Sequence, residues 1–195
     1  MKSLLSLSII LLAGIGSALG DNILISPASQ TVSVGKMFTV DINVDQIPDL
    51  FDYEFGLRFD PAVLAAHSVT EGALFANTGD SLYSPGTIDN TAGTILATAD
   101  TLVGTVPGVS GPGTLAIVQF TAIADGMTAI DFSPQSDLIL QDSKGNTLAV
   151  TAHSADITAV TSIPEPSTLS LLALTLIFGL CCRFRLQFFE TFNRR

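Results

Sequence analysis

Between residues 23 and 160, apolar and polar positions alternate in short runs broken by Gly, Pro, Asp and Asn. That pattern predicts half-buried strands, because a strand repeats every two residues and a helix every 3.6. Phe38–Val44 reads F-T-V-D-I-N-V, with Thr39, Asp41 and Asn43 between the apolar positions. Phe51–Phe59 is clearer: Phe51, Tyr53, Phe55, Leu57 and Phe59 share one face, and Asp52, Glu54, Gly56 and Arg58 the other. The first set is expected to pack into a core and the second to face outward. Asp60-Pro61 should end this strand, since proline cannot donate to a ladder and restricts the residue before it. Further strands are expected at Leu64–Thr70, Leu82–Asp89, Thr94–Thr101, Thr114–Ala124, Ala129–Ser133, Leu138–Gln141 and Asp156–Val160. About nine strands at this spacing predict an all-β sandwich or jelly roll.

The two ends break the alternation. Met1–Gly20 has one lysine, an apolar run, then Ala18 and Gly20 before Asp21, the order of a secretory signal peptide cleaved before Asp21. At the other end Pro164-Glu165-Pro166 precedes Thr168–Cys182, which is apolar and uncharged. It falls short of the roughly 20 residues a full span prefers, yet no amphipathic face marks it as a core helix. A transmembrane helix over 168–182 is therefore expected, with Arg183 and Arg185 holding its end on the cytoplasmic side and 186–195 as a short basic cytoplasmic tail. The domain organisation expected is a signal peptide at 1–20, a β domain at 21–162, a sorting segment at 163–185 and the tail.

Charge narrows the function. The chain carries 8 Lys plus Arg against 18 Asp plus Glu. Within 21–162 the basic residues are Lys36, Arg58 and Lys144, which leaves that domain at a net −13. Such a surface repels phosphate backbones, so nucleic acid is excluded as a partner. Two adjacent cysteines, Cys181 and Cys182, give no disulfide framework. His67 and His153 lack a second ligand at metal spacing, so no zinc site is expected. Gly108-Val109-Ser110-Gly111-Pro112 places proline where a hydrolase elbow needs its second glycine, and it reads as a turn. Asp137, Asp142 and Asn146 lack the order of a calcium loop, and a structural Ca²⁺ stays open there. No catalytic residues, metal site or cofactor are assigned, and the chain is expected not to be an enzyme.

Pro-Glu-Pro, an apolar helix and then arginines resemble the PEP-CTERM sorting signal of bacterial secreted proteins. The residues that carry the likeness are Pro164, Glu165, Pro166, Arg183 and Arg185. The resemblance implies a Gram-negative-type bacterium with an exosortase that processes the chain near Pro164–Pro166. The domain would then reach the cell surface or an extracellular polysaccharide matrix, membrane-anchored only transiently. The ten residues after Arg185 depart from that family, which usually ends at its basic cluster.

A second resemblance covers roughly 22–160. Its pieces are Val34-Gly35-Lys36-Met37-Phe38-Thr39-Val40, Tyr53–Phe59 running into Asp60-Pro61-Ala62-Val63-Leu64, Thr87-Ile88-Asp89-Asn90 with Ala92-Gly93-Thr94-Ile95, and Gly113-Thr114-Leu115-Ala116 leading to Phe120. Together they are similar to a cohesin domain. The likeness implies a nine-stranded jelly-roll sandwich, related to carbohydrate-binding modules, that holds dockerin-bearing proteins in the context of polysaccharide catabolism. Partner-binding positions carried over from it are Asp52, Glu54 and Arg58, with Thr98 and Asp100 on a neighbouring strand. A carbohydrate-binding module and a structural matrix protein without a dockerin partner remain the alternatives. Trp is absent, and Phe75, Tyr83 and Phe132 are the rings left as candidates for exposure to a sugar.

Overall fold

The computed structural model describes residues 21–78, 80–134 and 138–161. Twelve strands and one short helix follow in the order β1 (Asn22–Ser26), β2 (Ser29–Ser33), β3 (Met37–Arg58), β4 (Leu64–Glu71), α1 (Ala73–Ala76), β5 (Ser81–Ser84), β6 (Thr87–Asp89), β7 (Thr94–Leu102), β8 (Val109–Ala122), β9 (Gly126–Phe132), β10 (Ile139–Asp142), β11 (Thr151–His153) and β12 (Ala155–Val160). Twelve segments stand where nine strands were expected. Pro27 falls between β1 and β2, Pro85 between β5 and β6, and Pro134 between β9 and β10. A proline has no N–H for the ladder, so each interrupts a strand path. The two expected strands Phe38–Val44 and Phe51–Phe59 instead form one 22-residue strand, β3.

β3 is the strand that passes from one layer to the other. Its first half lies between β1 and β8, and β8 continues to β4. Its second half pairs with β7 on one side and with β10 on the other, and β7 carries β5 and β6 at its far edge. β9 touches the end of β3 at Leu57 and Arg58, then pairs with β12, which pairs with β2. Strands that change sheets do so at bends and bulges, and here the ladder slips between Val44 and Ile47 and again before Leu50. Gln46 and Asp49 take left-handed backbone angles, φ 55° and 49°. Asp49 pins this corner. Its N–H donates to Ser110 Oγ, while its carboxylate accepts from the Gly108 N–H and the Ser143 hydroxyl, both at 2.8 Å. Those bonds, the Ser143 hydroxyl foremost, hold its carboxyl below the usual range.

The alternation predicts five inward positions in Phe51–Phe59, and the structure leaves Phe51 only partly buried. Tyr53, Phe55, Leu57 and Phe59 are buried. Phe55 stacks on Tyr53 and takes the edge of Phe132, and Phe59 meets Phe120 edge-on at 5.2 Å. The Tyr53 hydroxyl spans the core and donates to the Leu115 carbonyl at 2.7 Å. After Asp60-Pro61 the chain turns as expected: Asp60 Oδ1 accepts from the Ala62 N–H, and its carbonyl accepts from Val63 and Leu64. Asn90 completes the edge strand β4, giving one donor and one acceptor to the backbone of Ala66 at 2.9 and 2.7 Å.

Residues 1–20, the sorting positions Pro164, Glu165, Pro166, Arg183 and Arg185, the expected helix at 168–182 and the tail at 186–195 all lie outside the described residues. Among the described residues the one helix is the four-residue α1, and no helix is long and apolar enough to cross a membrane. Among the described residues the fold class is therefore corrected to an all-β, multi-stranded sheet structure with no long helix, and the expected C-terminal hydrophobic helix is no part of it. The membrane partner and the transient membrane anchoring, which rested on that helix, are corrected with it.

Candidate functional site

The second half of β3 and its neighbours put two rows of four residues on the outer surface of one layer. Gln141 of β10 lies opposite Asp52, Asp52 opposite Thr101 of β7, and Thr101 opposite Leu82 of β5. The next outward row runs Ile139, Glu54, Ala99, Ser84. With strands about 4.8 Å apart, each row spans about 14 Å. Asp52 and Glu54 are half-buried at the centre, Leu82 is 67% exposed at one side, and Ser84 is exposed. The surface is flat and acidic at its middle, polar along Thr101, Gln141 and Ser84, and apolar at Leu82 and Ile139.

Arg58 does not join these rows. Between it and Glu54 the outward position is Gly56, which is buried, and a Cβ there would sit 2.9 Å from Ser133 Oγ. Ser133 covers that point and donates its N–H to the Gly56 carbonyl. Arg58 is exposed beyond it, opposite Asp131 of β9 and Thr94 of β7.

Thr98 and Asp100 are corrected outright. Both point inward, at 0% and 1% exposure. Thr98 lies opposite buried Phe55 and donates to the Pro85 carbonyl. Asp100 lies opposite buried Tyr53 on one side and Tyr83 on the other. The β7 positions in the outer rows are instead Thr101 and Ala99, one residue over. The sequence reading carried Thr98 and Asp100 over from the cohesin resemblance as partner-binding positions on the neighbouring strand. In the structure Ala97 holds a left-handed φ of 56° beside a slip in the β3–β7 register, and Thr98 and Asp100 end up inside. Sequence reasoning also missed Gln141, Ile139 and Leu82, which only cross-strand register brings beside Asp52 and Glu54.

The remaining candidates are structural here. Phe75 is 1% exposed and packs on Tyr53, while Tyr83 and Phe132 are half-buried, so none is a free platform for a sugar ring. Ser110 lies in strand β8 and accepts from the Asp49 N–H. Asp142 closes its own turn, taking the N–H groups of Lys144 and Asn146 and the Asn146 side-chain amide. These bonds, the Asn146 side chain first, hold its carboxyl low. Asp137 lies outside the described residues. His67 meets Thr121 and His153 meets Asn22, on different strands. Among the described residues no three His, Cys, Asp or Glu side chains converge on a metal position.

The described strands thus form a switched-sheet β structure with a mixed polar and apolar outer face. The model of the cohesin domain matches residues 24–159, and the chain belongs to that family. The domain is accordingly a non-catalytic binding module. Its fold is similar to a non-cellulosomal cohesin from the hyperthermophilic archaeon Archaeoglobus fulgidus, 18% identical over 73% of this chain and 92% of that one, with a TM-score of 0.58. It is also similar to a type II cohesin–X-dockerin complex structure from Acetivibrio cellulolyticus, 18% identical over 72% and 99%, TM-score 0.60. A type I cohesin–dockerin complex from Clostridium thermocellum gives 12% identity over 72% and 99%, TM-score 0.57. No curated protein matches the sequence.

Proposed function

We propose that the domain is a protein-binding module whose partner is a dockerin-type helical protein, docked on the outer face of β10, β3, β7 and β5. The observation that carries this reading is the pair of rows centred on Asp52 and Glu54. Two carboxylates at the middle of a flat face accept charge-assisted hydrogen bonds from lysine, serine or threonine on a partner helix. Leu82 and Ile139 supply the apolar contact that excludes water around them. Polysaccharide binding is less favoured, because Phe75, Tyr83 and Phe132 are all drawn into the structure. The same proposal includes export through 1–20 and processing near Pro164–Pro166, for which intact-mass measurement of surface protein should give a chain from about Asp21 to that motif.

Binding to a dockerin-bearing protein tests the proposal. Asp52→Ala with Glu54→Ala is expected to weaken binding at least about tenfold, because truncating central contacts costs about 2 kcal/mol, with the melting temperature nearly unchanged. Asp142→Ala with Lys144→Ala, at the end of β10 and in the turn that follows it, outside the two rows, is the control and should leave affinity unaltered. Equal affinity for both double variants would remove this face as the binding site.

A further inference from the structure

Beneath the outer rows, one inner row reads Leu140, Tyr53, Asp100, Tyr83 across β10, β3, β7 and β5. An aspartate in the middle of a hydrophobic row requires a partner, since burying an unpaired charge is costly. Both carboxylate oxygens of Asp100 are buried with no donor in hydrogen-bonding geometry, and so is the Tyr83 hydroxyl. The groups that face Asp100 are Tyr53 from β3, Tyr83 and Ser81 from β5, and Glu71 from the end of β4. Tyr53 is already committed to the Leu115 carbonyl, and Ser81 donates to Glu71 Oε1 at 3.0 Å. What remains beside Asp100 is the uncommitted Tyr83 hydroxyl and the second carboxyl, Glu71. The basic residues of the described segments, Lys36, Arg58 and Lys144, are all exposed and belong to other parts of the fold.

Two carboxyls in contact inside a protein cannot both stay charged without a cation or a proton between them. A hard divalent cation takes about six to eight oxygen ligands. The cluster offers two carboxylates, the Ser81 hydroxyl and the Tyr83 phenol, and falls short of that shell. We propose that Asp100 keeps its proton and gives it in a hydrogen bond to the Glu71 carboxylate, and that this pair clasps the end of β4 and the start of β5 to β7 in mildly acidic conditions and loosens as the pH rises. The strands it ties carry Leu82, Ala99 and Thr101 on their outer side, so the clasp underlies one edge of the candidate face. The inference rests on the fold alone and not on the identity of the partner.

The electrostatics agree in direction. Burial first, then the charge and the carboxyl of Glu71, push Asp100 up to about 6 against the weaker pull of Ser81 and the Thr101 N–H. Burial and the same two carboxyls raise Tyr83 to about 12. An acid whose pKa is raised on folding keeps its proton in the native chain after the unfolded chain has lost it. Stability from the pair is therefore complete below about pH 4 and is lost as the pH passes 6.

Thermal melting of the purified protein between pH 5 and 8 tests this, with Asp100→Asn as the comparison, because the difference between the two cancels every other titrating group. The parent is expected to lose about 5 °C more than the variant over that range, given how a domain of this size converts free energy into melting temperature. Glu71→Gln, which places an amide donor against Asp100, should flatten the slope in the same way. ¹³C NMR of the parent gives a readout that needs no variant: the Asp100 carboxyl carbon should titrate near pH 6. Parallel melting slopes in parent and variants, or an Asp100 midpoint below about 4.5, would overturn the protonated pair. So would a rise in parent melting temperature on adding Ca²⁺ at pH 8 that Asp100→Asn lacks, which would make the pair a cation site.

Discussion

Phe55→Ala is expected to destabilise the domain by about 3–5 kcal/mol, the usual cost of emptying a large aromatic from a core that cannot collapse around the gap. Phe55 is fully buried, stacked on Tyr53 and met edge-on by Phe132 from β9. Both neighbours are fixed by strand pairing, Tyr53 between β10 and β7 and Phe132 against Leu57, so neither can move far into the space. The adjacent Glu54 points outward and has no side-chain hydrogen bond among the described residues. Glu54→Ala should therefore change stability by no more than about 0.5 kcal/mol. Urea unfolding of the two variants measures both. A larger loss for Glu54→Ala would mean that every residue of this strand faces the opposite way, because a slip of one residue inverts a strand.

Gly93→Ala is expected to be nearly as damaging, at about 3 kcal/mol, for a reason that has nothing to do with burying apolar surface. Gly93 holds a left-handed φ of 69°, and a Cβ on it would stand 2.2 Å from the Phe59 carbonyl and 2.6 Å from Pro61. Its own carbonyl accepts from the Phe59 N–H at 2.9 Å, so the two backbones cannot part without breaking that bond. The left-handed conformation alone costs an alanine about 1–2 kcal/mol. Gly35 separates the two terms. It has φ 81° with nothing within 4 Å, so Gly35→Ala should cost only the conformational part, about 1 kcal/mol. Equal losses at the two glycines, read from chemical unfolding, would show that the close approach at Phe59–Pro61 relaxes freely.

The Gly93 contact also explains part of the sequence pattern. Asp60-Pro61 and Ala92-Gly93-Thr94-Ile95 stand far apart in the chain, yet they form one joint at the end of β3, with Asp89 and Asn90 closing the preceding turn. Asp89 accepts from the Thr91 and Ala92 N–H groups at 2.8 and 3.0 Å. Those two bonds, Ala92 first, lower its carboxyl. Such residues are legible because turn chemistry is local: aspartate, asparagine, proline and glycine each satisfy a nearby backbone group or angle.

What the sequence determined by itself was the local part. Alternation in Phe51–Phe59 settled the inward aromatics and the outward Asp52 and Glu54, and turn residues marked the strand ends. These follow from a two-residue period and from backbone sterics, which need no knowledge of distant contacts. The tertiary structure alone decided the rest. It joined two expected strands into β3 around the Asp49 corner, and it hid the outward position of Gly56 under Ser133. It turned Thr98 and Asp100 inward, leaving Thr101 and Ala99 to the outer face. Polar residues are read as outward because burying them is costly, and that rule fails where other strands supply partners for them. Thr98 finds the Pro85 carbonyl, and Asp100 finds the carboxyl of Glu71 from another strand. No period within β7 encodes either partner, because both arrive only when the strands pair.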